Sequence, residues 1–413
     1  MKLVQTQIIK NNHKDYVELD RLCFLSKNLY NATLYCVRQQ FFKEKTYLNY
    51  ATINAEFTHT NQADYRALPA KVSKQTQKLV EQDFLSFFAL LKLKAKNKYD
   101  KPIRIPKYAD KIKGRKPLLY TKDALSFKKK GFIYLSKTNI FIPTNFSREQ
   151  IKFVRIVPQN QQIKIEIGYE KLEKESIKSN NYAAIDLGIN NLATVSSNKI
   201  KPLIINGKPL KSINQFANKQ VAKYKSLLPK GKYTSKRIQN IFNKRENKIK
   251  DYFHKASSYI VNQLVSNNIS TLIVGRNKGW KQDTDMSKKN NQNFVNIPFY
   301  KFQQILKYKC QLNGIKYNEI VESYTSKASF LDNDVIPNFD KNNNQQYSFS
   351  GKRIKRGLYK TKNNKTINAD LNGSLNILKK YLIEKVAWNE NLFSDCVEVS
   401  CSKPLFVVYL LDK

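Results

Sequence analysis

The residues with the clearest chemical potential lie in the stretch Asn181-Tyr-Ala-Ala-Ile-Asp-Leu-Gly-Ile-Asn-Asn-Leu-Ala-Thr-Val195. One carboxylate, Asp186, interrupts an apolar run; Gly188 follows two residues later, and a second apolar run begins. The pattern predicts two short strands joined by a tight turn, with the acid at the end of the first. A carboxylate there has to be solvated, paired or bound to a metal, because burying it bare is too costly. Another acid, Asp370, falls near the start of a predicted helix, Asn368-Ala-Asp-Leu-Asn-Gly-Ser-Leu-Asn-Ile-Leu378.

The elements that must position these acids follow from periodicity. After Asp186 and its partner strand, the chain predicts a third strand at 203–206 and a helix near 212–228. A long amphipathic helix at about 234–268 follows, with Ile238, Ile241, Phe242, Ile249, Phe253, Ile260 and Leu264 as its apolar face. Its other face carries Lys236, Arg237, Lys244, Arg245, Lys248 and Lys250, suited to phosphate contact. A strand at Thr271-Leu-Ile-Val274 ends at Gly275; a helix near 299–313, a strand at 315–321 and the helix bearing Asp370 complete the order. Three sequential strands followed by strands alternating with helices are what an RNase H-like α/β domain gives. In that fold, acids gather at the ends of the central strands and on a late helix. There they hold two divalent ions that clamp the attacking and leaving oxygens of a phosphodiester. Hard oxygen ligands suit Mg²⁺.

The N-terminal part predicts a lone strand at 2–9 and long helices at 16–48 and about 70–96. Phe84, Phe87 and Phe88 recur on the second helix at the spacing of a helix–helix core. Residues 101–140 carry twelve Lys/Arg, Lys128, Lys129 and Lys130 among them, against Asp110 and Asp123. Tyr108, Tyr120, Phe127, Phe132 and Tyr134 alternate with these charges in strand-like segments, a surface suited to tracking a nucleic-acid backbone. Residues 341–365 hold eight Lys/Arg and no acid, and Gly351-Lys-Arg-Ile-Lys-Arg-Gly357 reads as a basic hairpin presenting Lys352, Arg353, Lys355 and Arg356.

The charge of the whole chain agrees with this. Its 413 residues carry 74 Lys+Arg against 32 Asp+Glu, a formal net charge of +42, with 41% hydrophobic residues. That is a globular protein, of about two or three domains, whose partner is a polyanion, with nucleic acid the leading class. Cys23, Cys36, Cys310, Cys396 and Cys401 lack the two-residue gap of a zinc knuckle and read as ordinary thiols in a reducing compartment. No apolar leader opens the chain, and the late apolar run Leu405–Leu411 is too short to span a bilayer. A cytoplasmic protein of a bacterium or virus, associated with the nucleoid when on DNA and with no membrane partner, is expected.

These motifs in this order resemble the TnpB (OrfB) family of insertion-sequence proteins. Asp186-Leu-Gly-Ile-Asn-Asn-Leu-Ala-Thr resembles its first RuvC motif, and Asn368-Ala-Asp-Leu-Asn-Gly-Ser-Leu-Asn-Ile its third. Ser323-Tyr-Thr-Ser-Lys matches a Tyr-Thr-Ser signature after a strand. The resemblance implies an RNA-guided DNA endonuclease related to compact type V CRISPR effectors, with guide RNA and target DNA as partners and two Mg²⁺ ions per site. It implies a RuvC-like domain over 176–326 and 366–413, preceded by a β-barrel wedge domain split into 1–14 and 101–175. A helical recognition domain at 15–100 interrupts the wedge, and 327–365 is a basic insertion that binds target nucleic acid.

Two departures stand out. The stretch before the third motif, which opens Ser326-Lys-Ala-Ser-Phe-Leu-Asp-Asn-Asp334, has no cysteine where the family carries a four-cysteine zinc element, so no zinc is expected. The family's second catalytic acid is a Glu ending the strand that here reads Thr271-Leu-Ile-Val-Gly275. Glu322, at the end of the next strand, is the expected replacement, since adjacent strands lie about 4.8 Å apart; Asp283 and Asp285 are weaker candidates. The expected metal ligands are therefore Asp186, Glu322 and Asp370. A nuclease-inactive RNA-guided DNA-binding protein and a transposase proper are the alternatives.

Overall fold

The computed structural model describes residues 1–159, 162–276, 296–339, 346–355, 357–386, 388, 406–408 and 410. The chain forms two units, Met1–Lys171 and Leu172–Lys413.

In the first unit, β1 (Lys2–Lys10) leads into α1 (Tyr16–Glu44), α2 (Tyr50–His59), α3 (Ala63–Arg66) and α4 (Ala70–Ala95). Then come β2 (Leu118–Thr121), β3 (Leu125–Ser126), β4 (Phe132–Leu135), β5 (Phe141–Pro143), β6 (Ile151–Gln159) and β7 (Gln162–Glu170). β1 pairs antiparallel with β7 along its whole length, Lys2 opposite Glu170 and Lys10 opposite Gln162. The two ends of the unit therefore close on each other, and everything between them is inserted.

The strands form two sheets, β1-β7-β6-β2 and β3-β4-β5. Among the described residues the expected barrel is not closed. Part of the reason is that residues 101–117, expected to contain strand, have no regular structure. Their polar groups bond to α1 instead: Asn31 Nδ2 donates to the Ala109 carbonyl (3.0 Å), and Arg115 makes a two-pronged contact with Asp20 (2.9 and 2.7 Å). The short helices α2 and α3 also arise where no element was expected. The aromatic stripe of α4 is core, as its spacing implied: Phe84 is fully buried and meets Phe41, Phe87 and Phe88 edge-on or tilted. Tyr120 is buried too, so it belongs to the core and not to the basic surface.

The second unit contains β8 (Tyr182–Leu187), β9 (Asn191–Ser197), β10 (Leu203–Asn206), α5 (Lys208–Ser226), α6 (Lys236–Ser266) and β11 (Thr271–Arg276). It continues with α7 (Phe299–Leu312), β12 (Lys316–Val321), β13 (Lys352–Lys355), β14 (Leu358–Lys360), β15 (Thr366–Asn368), α8 (Ala369–Lys385) and β16 (Phe406–Val408). Six strands make one sheet in the order β12-β11-β8-β9-β10-β16. β8, β11 and β12 are parallel, and β9 runs antiparallel between β8 and β10. β16, part of the run noted for its apolar character alone, adds to the edge beside β10. β13, β14 and β15 form a separate small sheet.

Strand alternation gives the six-stranded sheet two different faces. Ala183, Ile185, Leu187, Leu272 and Val274 face a core shared with α5, α6 and α7. Ala184, Ile273 and Ile320 face the other way, into a core built on α8. Among the described residues no helix is long and apolar enough to cross a membrane.

The contact between α6 and α7 is partly polar. Lys309 Nζ donates to the His254 carbonyl (2.7 Å), Ser257 Oγ (2.8 Å) and Ser258 Oγ (2.7 Å). Burial, and then the positive charges of Lys309 and Lys250, push the His254 imidazole down to about 4. The unfolded chain takes up this proton near the ordinary histidine value of about 6.5, so between pH 6.5 and 4 the unfolded state binds more protons and stability falls as pH falls. A His254→Gln variant should therefore lose less melting temperature than the parent between pH 7 and pH 5. Equal losses would remove His254 from the acid sensitivity of the fold.

Candidate functional site

β11 lies between β8 and β12, with Val274 opposite Ile185 and Gly275 opposite Ile320. One step beyond Val274, Gly275 stands level with Asp186, and Glu322 follows directly after β12. Because side chains alternate, Asp186, Gly275 and Glu322 continue the face of Ala184, Ile273 and Ile320, the face covered by α8. Glu319 points to the opposite face, where it pairs with Arg276.

The N-terminus of α8 brings the third acid. Asn368 caps it, its Oδ1 accepting from the amides of Asp370 (2.9 Å) and Leu371 (3.1 Å). Asp370 accepts from Asn191 Nδ2 at 2.7 Å and lies 3.7 Å from the Arg353 guanidinium of β13. One turn further, Gly373 rests on Asp186: a Cβ there would stand 2.8 Å from Asp186 Oδ2. Ser374 Oγ then donates to the Ala184 carbonyl (3.1 Å) and shares a 2.7 Å hydrogen bond with Ser196 Oγ.

Gly275 explains how Glu322 fits. A Cβ at Gly275 would stand 2.0 Å from Glu322 Oε1 and 2.5 Å from its Cγ. The Glu322 side chain thus fills the space that a side chain at 275 would need.

Crowding shows in the electrostatics. Burial raises the Asp186 carboxyl well above the ordinary carboxylate range, the charges of Glu322 and Asp370 raise it further, and Arg353 opposes them. Burial pushes Glu322 up to about 7. An all-carboxylate oxygen set whose members repel one another is chemistry that a hard dication relieves. Among the described residues, however, no three His, Cys, Asp or Glu side chains converge on one ion-sized point. Asp370 directs its oxygens to Asn191 and Arg353 instead. The donor chemistry fits Mg²⁺, and closing the set requires Asp370 to turn from those partners.

The structure thus brings Asp186, Glu322, Asp370 and Arg353 together. The other expected contact residues lie elsewhere. Lys128, Lys129 and Lys130 are exposed on the turn before β4, with Lys129 5.5 Å from the centre of the Phe132 ring. Lys236 and Arg237 are exposed in the first turn of α6, and Lys352 and Lys355 are exposed on β13. Arg356, Asp283 and Asp285 lie outside the described residues. Asn191 and Gly373 were missed as site residues. A glycine inside a helix costs about 1 kcal/mol relative to alanine, so Gly373 did signal a close approach. Asn191, at a strand end beside a turn, gave no periodic signal.

A strongly basic, mixed α/β protein with a carboxylate cluster at the end of parallel strands is the class that fold and site define. A family model described as OrfB_IS605, probable transposase, matches residues 162–281, and one described as Cas12f1-like, TNB domain, matches residues 299–377. The chain is similar to the TnpB-like protein ORF457 of Acidianus two-tailed virus, with 26% identity, over 88% of this chain and 83% of that protein. A cryo-EM structure of a Cas12f1–sgRNA–target DNA complex aligns over 91% of this chain and 98% of its own, at 16% identity and a TM-score of 0.35. The mini-RNA-guided endonuclease CRISPR-Cas_phi3 aligns over 92% of each chain, at 9% identity and a TM-score of 0.43. Over the matched residues, the two family models and the viral protein make the chain similar to the TnpB (OrfB) family.

The steric exclusion between positions 275 and 322 is measurable. Gly275→Ala should destabilise the protein by about 1–3 kcal/mol, as overpacking does. Most of that loss should vanish when Glu322 is also replaced by Ala, giving a coupling of at least about 0.5 kcal/mol in a denaturation double-mutant cycle. Additive effects would mean that the two side-chain volumes do not overlap.

Proposed function

We propose that this protein is an RNA-guided DNA endonuclease whose second unit is an RNase H-like, RuvC-type nuclease domain. The observation that carries the reading is the common placement of Asp186, Gly275 with Glu322, and Asp370. All three lie on one face of the sheet, beside the N-terminus of α8. The sheet order, with the acid-bearing β8 between parallel β11 and antiparallel β9, supports the RNase H-like assignment.

In this reading Asp186, Glu322 and Asp370 hold two Mg²⁺ ions. When bound, such ions supply positive charge to the attacking and leaving oxygens and lower the pKa of water. The protein's own residues do the rest. Gly373 keeps the α8 backbone against Asp186 and fixes where that carboxylate points. Asn191 and Arg353 hold Asp370 until it turns to close the ligand set, and Arg353, once released, offers a cation beside the acids to the backbone of the strand being cut. Lys352 and Lys355 extend that cationic strip along β13. Lys128, Lys129 and Lys130, with Lys236 and Arg237, grip nucleic-acid backbones elsewhere, and base pairing with a guide RNA supplies sequence specificity. Residues 1–14 and 101–175 serve as a split wedge domain, 15–100 as a helical recognition domain, 176–326 and 366–413 as the nuclease, and 327–365 as a target-binding insertion.

The test is co-expression with the RNA transcribed from the gene's flank, followed by incubation with matching DNA and Mg²⁺. The parent should cut, and Asp186→Ala, Glu322→Ala and Asp370→Ala should each lose at least about a hundredfold in rate, as removal of a strong transition-state contact does. Cutting by Glu322→Ala at the parental rate would sink the relocated acid. Guide-dependent DNA binding without cutting by the parent would leave a nuclease-inactive binder.

A further inference from the structure

The sheet face opposite the acids carries a feature that the nuclease reading does not use. α5 and α6 pack side by side there and leave a groove of about 540 Å³, within the range of roughly 300–1,000 Å³ of small-ligand sites. Ile213, Ile241 and Phe216 give it an apolar lining. Phe216 is 65% exposed, a large aromatic surface left facing water. Tyr224, Arg237, Lys244 and Lys248 also line it, and the Arg237 guanidinium lies 4.2 Å from the Tyr224 ring centre.

Charge selects the occupant. No acid lines the groove, and residues 208–250 contain thirteen Lys/Arg against Glu246 alone. Glu246 is 3.3 Å from Lys301 of α7. Lys236 and Arg237 occupy the first turn of α6, with no acid there. The helix dipole disfavours cations at an N-terminus, so these charges do not serve the helix. Lys244 and Lys248, four residues apart, share one side of α6. A flat apolar ring beside such cations matches a base between its phosphates.

We propose that this groove holds an unpaired nucleotide of a single-stranded RNA segment. Phe216 stacks on the base, and Lys244 and Lys248 contact the flanking phosphates. The assignment to RNA rests on the guide-RNA reading above. The strand to be cut has to reach the acids on the α8 face, so the groove on the other face holds a strand that is bound and not cut.

The test uses the full chain and fluorescence anisotropy with labelled single-stranded oligoadenylate RNA, its DNA counterpart and an RNA duplex. Phe216→Ala should weaken binding of the single-stranded RNA about tenfold, Phe216→Trp should retain it, and duplex binding should not change. Lys244→Ala should lower the slope of log affinity against log salt by about 0.7. An unchanged affinity in Phe216→Ala overturns the proposal, as does an equal loss on the duplex or a larger loss on single-stranded DNA. A change of oligomeric state in Phe216→Ala without loss of RNA binding also overturns it, in favour of a contact between copies of this chain. A parent that binds the RNA through Phe216 but cuts no DNA supports the groove and overturns the nuclease reading. A parent that cuts DNA with its guide RNA yet binds the oligoadenylate equally well with and without Phe216 does the reverse.

Discussion

Carboxylates repel, and a fold that gathers three of them at one end of a sheet has to hold them against that repulsion. Here the restraint is α8. Its backbone reaches Asp186 through Gly373, and Ser374 fastens it to β8 and β9. Asn372, Ser374 and Asn376 are fully buried, which is tolerable only with hydrogen-bond partners. Asn372 accepts from the Phe330 amide and donates to the Ala328 carbonyl, and Asn376 donates to the carbonyls of Thr325 and Ala328. Thr325 in turn donates to the Glu322 carbonyl at 3.1 Å. One helix therefore carries Asp370, touches Asp186 and anchors the turn that follows Glu322.

The loop after Glu322 is where members of the resembling family carry a zinc element, and here carboxylates organise it. Asp334 accepts from the amides of Ser329 (2.7 Å) and Ser350 (3.1 Å), and Asp332 from Ser329 Oγ (2.6 Å) and the Lys362 amide (2.9 Å). Tyr359 adds a hydrogen bond to the Lys327 carbonyl (2.7 Å). Two aspartates thus join three distant points of the chain and set the basic strand β13 beside Asp370. Both acids were visible in the sequence, but their partners lie up to thirty residues away and no spacing rule connects them.

Legibility followed the range of the determining forces. The helices at 70–95, 236–266 and 299–312 and the strands at 182–187, 203–206 and 316–321 came from local periodicity. Asp186 was conspicuous because a charge in an apolar strand demands an explanation. Glu322 required the further step that neighbouring strands are close enough to exchange a side chain's place. What stayed hidden depends on tertiary partners: the irregular course of 101–117, fixed by α1; the burial of Tyr120; the edge strand at 406–408; and the hold of Asn191 on Asp370. The groove between α5 and α6 was half visible, its cations read from α6 and its exposed Phe216 unremarked.

Gly275 and Glu322 occupy one volume between them. Moving the acid from one strand to the other cannot proceed through a chain bearing a glutamate at both positions, because the side chains would overlap. Nor can it pass through a chain bearing neither without leaving the cluster one acid short. Each single step crosses a crowded or a depleted site. The two positions are therefore sterically coupled, and in the proposed nuclease a glycine that looks like a lost acid is the condition for Glu322 to stand in the cluster.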